Sequence, residues 1–295
     1  MTCEFCTAKI SFVALKNDYS HYRCTHCHHI SVLPVPSAQQ LDDYYNKAYY
    51  YTKTLSRTLD KRHYYIANHF GNLLESSIAL DIGCAQGDFL DGLRDLGIVK
   101  LHGIELSKEL ANAARTRGYQ VSDGMFNSKS FQGMQFQIIN LGDVLEHVSD
   151  PRILLTDITK LLDPNGILIL ATPNIDNFFS NTTFLLYKIF NIPWSSLDPP
   201  AHISLFTYKS LKFLLTDLSL ESISSWSTRV TLTYELGHTH LFRSFREQRS
   251  PISFLRWVIG WPVYCILYAL NIFSVFFTKK DTGMVHIIKK IDKNS

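Results

Sequence analysis

The chain has 295 residues, 46% of them hydrophobic, which is enough for one full core and one or two small appendages. A formal net charge of +3 gives no electrostatic case for a nucleic-acid partner. A charged, Cys-rich stretch stands where a secretory leader would have its apolar region, so a cytoplasmic, reducing compartment is expected.

Residues 1–35 hold four of the six cysteines, as Cys3-x-x-Cys6, a gap of seventeen residues, and Cys24-x-x-Cys27. Two thiolate knuckles at this spacing close a tetrahedral site with no open position, which predicts a ribbon around a structural zinc. His26, His28 and His29 crowd the second knuckle, but four thiolates already fill the coordination shell. A ribbon can also grip RNA. Here Lys9, Lys16 and Arg23 stand against Glu4 and Asp18, a net of +1, which is no footprint for phosphates. Pro34 and Pro36 end the segment. Residues 36–75 predict a tyrosine-rich helical linker, with Tyr44, Tyr45, Tyr49, Tyr50, Tyr51, Tyr64 and Tyr65.

From residue 76 onward a single larger domain is expected. Short apolar runs at 78–82, 101–105, 136–141 and 167–171 predict strands, separated by helical stretches at 87–97, 107–117 and 150–162. Repeated βα units imply an α/β fold with a doubly wound, mostly parallel sheet. A helix at 208–218, a strand near 220–230 and a last strand at 283–288 follow. Between them, 252–278 is apolar, and Trp257 to Thr278 carries no charge over 22 residues. That is long enough to span a bilayer. The last strand must return to the side of the strand near 220–230, so a full crossing is excluded. The expectation is a helical pair or re-entrant segment in one leaflet on the inner face of the membrane, or docked on a partner. Trp257, Trp261, Tyr264 and Tyr268, with Lys279 and Lys280 behind them, suit an interface. The alternative is a buried cap over an acceptor site, or a dimer seam.

The strongest local signal is Ala79-Leu80-Asp81-Ile82-Gly83-Cys84-Ala85-Gln86-Gly87-Asp88. A buried strand runs into a tight loop with Gly83 and Gly87, then a helix, so a ligand can approach backbone and helix N-terminus. The spacing G-x-x-x-G differs from the G-x-G-x-x-G of dinucleotide folds. Asp81 at the strand end would repel a pyrophosphate but suits a cationic amino group, which favours S-adenosyl-L-methionine over NAD. Glu105 ends the next strand, 22 residues after Gly83, where a carboxylate can accept from both ribose hydroxyls. Ser107 is placed to cap the following helix.

These motifs resemble zinc-ribbon-bearing class I S-adenosylmethionine-dependent methyltransferases, with a Rossmann-like domain, in a branch close to the ubiquinone O-methyltransferases. Asp81 to Gly87 resembles the first motif of that family and Ile104-Glu105-Leu106-Ser107 the second. Asp143-Val144-Leu145-Glu146-His147-Val148 with Asp150-Pro151, then Leu162-Asp163-Pro164-Asn165-Gly166 and Ala171-Thr172-Pro173-Asn174, follow in the family's order. His202-Ile203-Ser204-Leu205-Phe206-Thr207 resembles a block of this branch, as do Cys24-x-x-Cys27, Pro34-Val35-Pro36 and the tyrosine helix. Ala85 departs from the pattern, which has a third glycine there.

The resemblance implies that Gly83, Cys84 and Gly87 border the methionine part of the cofactor and that Glu105, with Leu106 beside it, holds the ribose. Asp123 or Gly124 would lie near the adenine, and Asn140, Leu141 and Gly142 would face the sulfonium. Transfer to a hydroxyl needs a base of near-neutral pKa, so His147 and His202, after the fourth and fifth strands, are the candidates. Glu146 and His147 could instead ligate a divalent metal, as the ubiquinone relatives suggest. Asp198-Pro199-Pro200 lies after the wrong strand for an amino-methylation motif, and Ala201 replaces its aromatic. Cys84 has no base nearby and suits packing. The expected acceptor is a small molecule, sugar or lipid-linked saccharide. The rivals are RNA methylation, with the ribbon as grip, and a cofactor-binding scaffold without activity.

Overall fold

A computed structural model describes residues 1–37, 39–41, 59–190, 197, 199–229 and 251–291. Tyr44, Tyr45, Tyr49, Tyr50 and Tyr51 of the expected linker helix lie outside the described residues, as does Asp198. The chain divides into two compact units. One comprises Met1–Pro34, Thr172–Leu211 and Ser225–Val285, the other Val35–Ala171, Lys212–Ser224 and His286–Ser295.

The second unit contains the central strands of a seven-stranded sheet. They are β4 (Ile78–Ile82), β5 (Lys100–Glu105), β6 (Gln120–Asp123) and β7 (Phe136–Gly142), and β8 (Leu162–Pro173) follows them. With β10 (Leu220–Thr228) and β11 (Gly283–Lys290) the order is β10-β11-β8-β7-β4-β5-β6. β4 pairs in parallel with both β5 and β7, so the strand order reverses between β4 and β7. Ala79, Leu80, Asp81 and Ile82 are all buried, as a central parallel strand requires of both its faces. Ser107 caps the helix it was expected to cap, and Asp150 caps another. Ser107 accepts from Leu110 N at the head of α3 (Lys108–Thr116). Asp150 accepts from Ile153 N before Pro151 of α4 (Pro151–Leu161).

Two parts of this unit escaped the periodicity. β8 begins at Leu162, five residues before the apolar run. Asp163 Oδ1 accepts from Asn165 N there, and the register with β7 shifts between Phe136 and Ile138. In β6 only Val121 is buried, too little apolar alternation to mark a strand. Ahead of the sheet, α1 (Lys61–Phe70) is closed by a capping box. Asp60 accepts from Arg62 N, and Asp60 N donates to His63 Nδ1. His63 fills the space over Gly92 of α2 (Asp88–Asp95), where a Cβ would lie 2.2 Å from its Nε2.

In the first unit β1 (Ile10–Lys16), β2 (Tyr19–Cys24) and β3 (Ile30–Leu33) form an antiparallel ribbon. A fourth strand, β9 (Ser204–Leu205), pairs with β3. The block from His202 to Thr207 therefore completes the ribbon: Phe206 lies 5.2 Å from the His29 ring and 5.9 Å from Phe5, and Thr207 Oγ1 donates to Cys27 O. A three-stranded ribbon has too small a core to cover its own face.

The segment expected as a helical pair or re-entrant turn is instead one helix, α7 (Pro251–Thr278), with Pro262 inside it. It packs on α5 (Phe178–Phe190), which the sequence pattern did not reveal. Phe179 meets Tyr264 and Tyr268 edge-on, and this packing just past Pro262 holds the helix through a residue type that ordinarily breaks one.

Candidate functional site

Ligands of open α/β sheets bind outside the carboxyl ends of the strands where the strand order reverses. That point lies at the ends of β4 and β7 and brings together the loop Gly83–Gly87, Asp81, Asn140 and Gly142. Gly83 has φ 75°, and a Cβ on it would lie 2.5 Å from Val144 Cγ2. Gly87, at φ 91° as the cap of α2, would place a Cβ 2.9 Å from the Tyr119 ring. Both glycines are sterically required. Ala85 also has a positive φ, 46°, which accounts for a glycine at the matching position of the resembled motif.

Glu105 braces this loop. Its Oε2 accepts from Ala85 N at 2.9 Å and its Oε1 from Ser107 N at 2.8 Å. Each oxygen has accepting capacity left for a further donor. Cys84 turns inward, its sulfur 2.7 Å from where a Cβ on Gly103 would be. Burial, then the charges of Asp81 and Glu105, push its thiol well up, so it is no thiolate nucleophile. Leu106 is half-buried between Glu105 and the cap Ser107. Asp123 pairs with Glu105 in register, but its carboxylate is tied to Arg115, and Gly124 N donates to Glu105 O.

Asp81 is fully buried and accepts from Asn140 Nδ2 at 2.6 Å. Burial pushes its carboxyl up to about 7, against the Asn140 hydrogen bond and the charge of Arg62. Asn140 Oδ1 is buried with no hydrogen-bond partner among the described residues. A buried carboxyl beside an orphaned acceptor is a site that lacks a donor, and a cationic amino group supplies one. Leu141 is wholly buried, whereas Gly142 is half-buried. His147 ends a short turn after β7, its ring 3.8 Å from the carboxylate of buried Glu146. His202, in the other unit, is half-buried just before β9.

The four ribbon cysteines converge. Cys3 and Cys27 sulfurs are 3.6 Å apart, those of Cys6 and Cys24 3.4 Å, and all four lie within 4.8 Å of one another. His26 N and Cys27 N both donate to Cys24 Sγ. Four sulfurs at zinc-bond length around one ion stand about 3.8 Å apart, which this cluster approaches.

A family model described as a methyltransferase domain matches residues 50–225, more than half of the chain. The chain belongs to that family. It is 29% identical over 109 residues to the ubiquinone biosynthesis O-methyltransferase of Coxiella burnetii, covering 34% of this chain and 45% of that one. It is 30% identical over 108 residues to the enzyme of the same name from Xanthomonas oryzae, with the same shares covered. The chain thus spans a little under half the length of the curated relatives it matches. A SAM-dependent methyltransferase from Methanosarcina mazei is similar in structure, with a TM-score of 0.47, 19% identity, and 77% of this chain and 97% of that one covered.

One residue at this candidate site has no signal in the sequence. Arg62 reaches from α1 to within 3.2 Å of the point a Cβ on Gly142 would occupy. Its guanidinium stacks 4.7 Å from the centre of the Phe89 ring and donates to Asp60 at 2.8 Å. It lies outside every local motif. The Asp60 cap marks only where the helix starts, and the fit of His63 over Gly92, which aims Arg62 at the site, exists only between packed helices.

The raised carboxyl of Asp81 has a measurable consequence. An unfolded aspartate releases its proton near pH 4, whereas Asp81 in the fold keeps it to about 7, so stability falls as pH rises through that window. Asp81→Asn removes this penalty. In ligand-free thermal unfolding, the stability of the variant relative to the parent should climb between about pH 4 and 7 and then level off. A difference that does not change with pH would contradict the buried, protonated carboxyl.

Proposed function

We propose that the chain is an S-adenosylmethionine-dependent methyltransferase that methylates a hydroxyl of a small molecule, sugar or lipid-linked saccharide. The observation that carries this reading is the Glu105 carboxylate, which braces the glycine loop while keeping acceptor capacity on both oxygens. The cofactor supplies a methyl group on a sulfonium. Glu105 accepts from the ribose hydroxyls, and Leu106 and Asp123–Gly124 flank it toward the adenine. Gly83, Cys84 and Gly87 form the loop against which the methionine portion lies. Asp81 and Asn140 Oδ1 attract its ammonium, Arg62 attracts its carboxylate, and Leu141 and Gly142 line the approach to the sulfonium. His147 or His202 would take the proton of the acceptor hydroxyl. The O-methyltransferase relatives favour a hydroxyl acceptor over the RNA alternative.

Cys3, Cys6, Cys24 and Cys27 hold a structural zinc in this reading. Four thiolates close the shell, so the ion stabilises the ribbon and takes no part in transfer.

Glu105→Ala should weaken adenosylhomocysteine binding by about 2–4 kcal/mol, read by calorimetry, because two charge-assisted hydrogen bonds go together. Unchanged affinity would remove Glu105 from the cofactor site. His147→Ala or His202→Ala should instead keep that affinity and lose about 10²–10⁴-fold in turnover. Near-parental turnover in both would mean that neither histidine moves the proton. Purified protein should contain one zinc per chain, lost in Cys27→Ser with faster hydrogen exchange over 1–34 and 204–206. Metal-free protein prepared without chelator would refute the zinc assignment.

A further inference from the structure

We propose that α7, together with α5, seats the protein on an anionic lipid surface, with α7 lying in the plane of one leaflet. α7 is apolar on two faces. One is occupied: Tyr264, Leu267 and Tyr268 are buried in a cluster with Phe179. On the same side Asn271 is fully buried, accepting from Phe179 N at 3.2 Å and donating to Asp281 Oδ1 at 2.8 Å. The other face is open. Val263, Ile266, Leu270, Phe273 and Phe277 follow one another at alternating steps of three and four, which is a single stripe of a helix. All five are exposed, Phe277 to 76%. Phe276, at 77%, widens the stripe, Trp261 is exposed to 47% elsewhere on the helix, and Leu185 and Ile189 of α5 are exposed as well. So large an apolar face on a chain in water marks an interaction surface.

Charge selects the occupant. Neither helix contains an aspartate or glutamate over its 28 and 13 residues. Among the described residues, the exposed charges on and directly after these helices are cationic, Lys188 on α5 and Lys279 directly after α7. A seam between two copies would set this one-signed rim near its own image. Anionic headgroups complement it, and the exposed tryptophan suits the interfacial layer.

The geometry also selects lying over crossing. The stretch Gly260–Thr278 is long and apolar enough to traverse a bilayer. Yet its inner face is already held by Phe179 and Asp281, and β11 starts five residues after the helix ends. Crossing would tear Asn271 from both partners and leave its amide bare in hydrocarbon.

Flotation of the full chain with vesicles tests this without reference to methyl transfer, so it stands or falls separately from the proposed activity. The parent should float with phosphatidylcholine vesicles containing a quarter phosphatidylglycerol, and much less with phosphatidylcholine alone. Phe273→Glu with Phe277→Glu should weaken that binding about tenfold or more while leaving the thermal unfolding midpoint unchanged. As a second variant, Lys188→Glu with Lys279→Glu should abolish the preference for anionic vesicles and keep the apolar stripe. The proposal is overturned if the parent stays unbound with both vesicle types, or if the phenylalanine variant floats as well as the parent. It is equally overturned if the vesicle-free parent is a dimer by light scattering, split by the phenylalanine variant, and does not float, because a second copy then covers the face.

Discussion

The carboxylate of Glu105 receives two backbone N–H groups, one from Ala85 in the loop after β4 and one from Ser107 at the head of α3. That loop carries three residues of positive φ within five positions, Gly83, Ala85 and Gly87. Such a backbone holds its shape only if its surroundings dictate it. The brace from β5, the hydrogen bonds of Gly83 N and Cys84 N to Ile104 O, and the ring of Tyr119 against Gly87 supply that dictation. The residue proposed to grip the ribose thus also shapes the loop on which the rest of the cofactor would lie.

Around this brace the site places its charge under cover. Asp81 sits near the end of an otherwise apolar strand, where burial favours the neutral acid, and it relies on one amide for a hydrogen bond. Arg62, stacked on Phe89 and forked onto Asp60, contributes the opposite charge from the rim. A ligand that is both a cation and an anion, as an amino acid is, matches an arrangement in which an acid, an unsatisfied acceptor and a guanidinium converge on one strand end. The arrangement costs stability in the empty protein, a familiar condition of binding sites.

The other unit solves a different problem. Its ribbon is small, and it is held by four converging thiols, the rings of Phe5, His29 and Phe206, a borrowed strand β9, and a buried cluster of Ala14 and Ile30 with Ile175, Leu197 and Leu205. Elsewhere in that unit, α7 is tied down on one face by Asn271 and left apolar on the other. That division, with a fixed inner side and an open outer side, makes the helix a surface element, whatever its length alone suggests.

The sequence by itself determined what local chemistry can determine. The strand–loop–helix around Gly83 and Gly87 was legible because left-handed turns demand glycine. The cap at Ser107 was legible because helix ends leave donors that a side chain must satisfy, and the paired cysteines because four thiolates at that spacing make one site. Only the tertiary structure decided the rest. The pairing of β9 with β3 joins residues some 180 apart, as the Thr207–Cys27 contact spans, and no short window encodes it. Arg62 reaches the site because His63 docks over the missing side chain of Gly92, a fit between two helices. α7 runs unbroken through Pro262 because its packing on α5 outweighs the propensity of one residue. Propensities and caps act within a turn or two of chain. Packing acts across any separation, and it placed the residues that no motif announced.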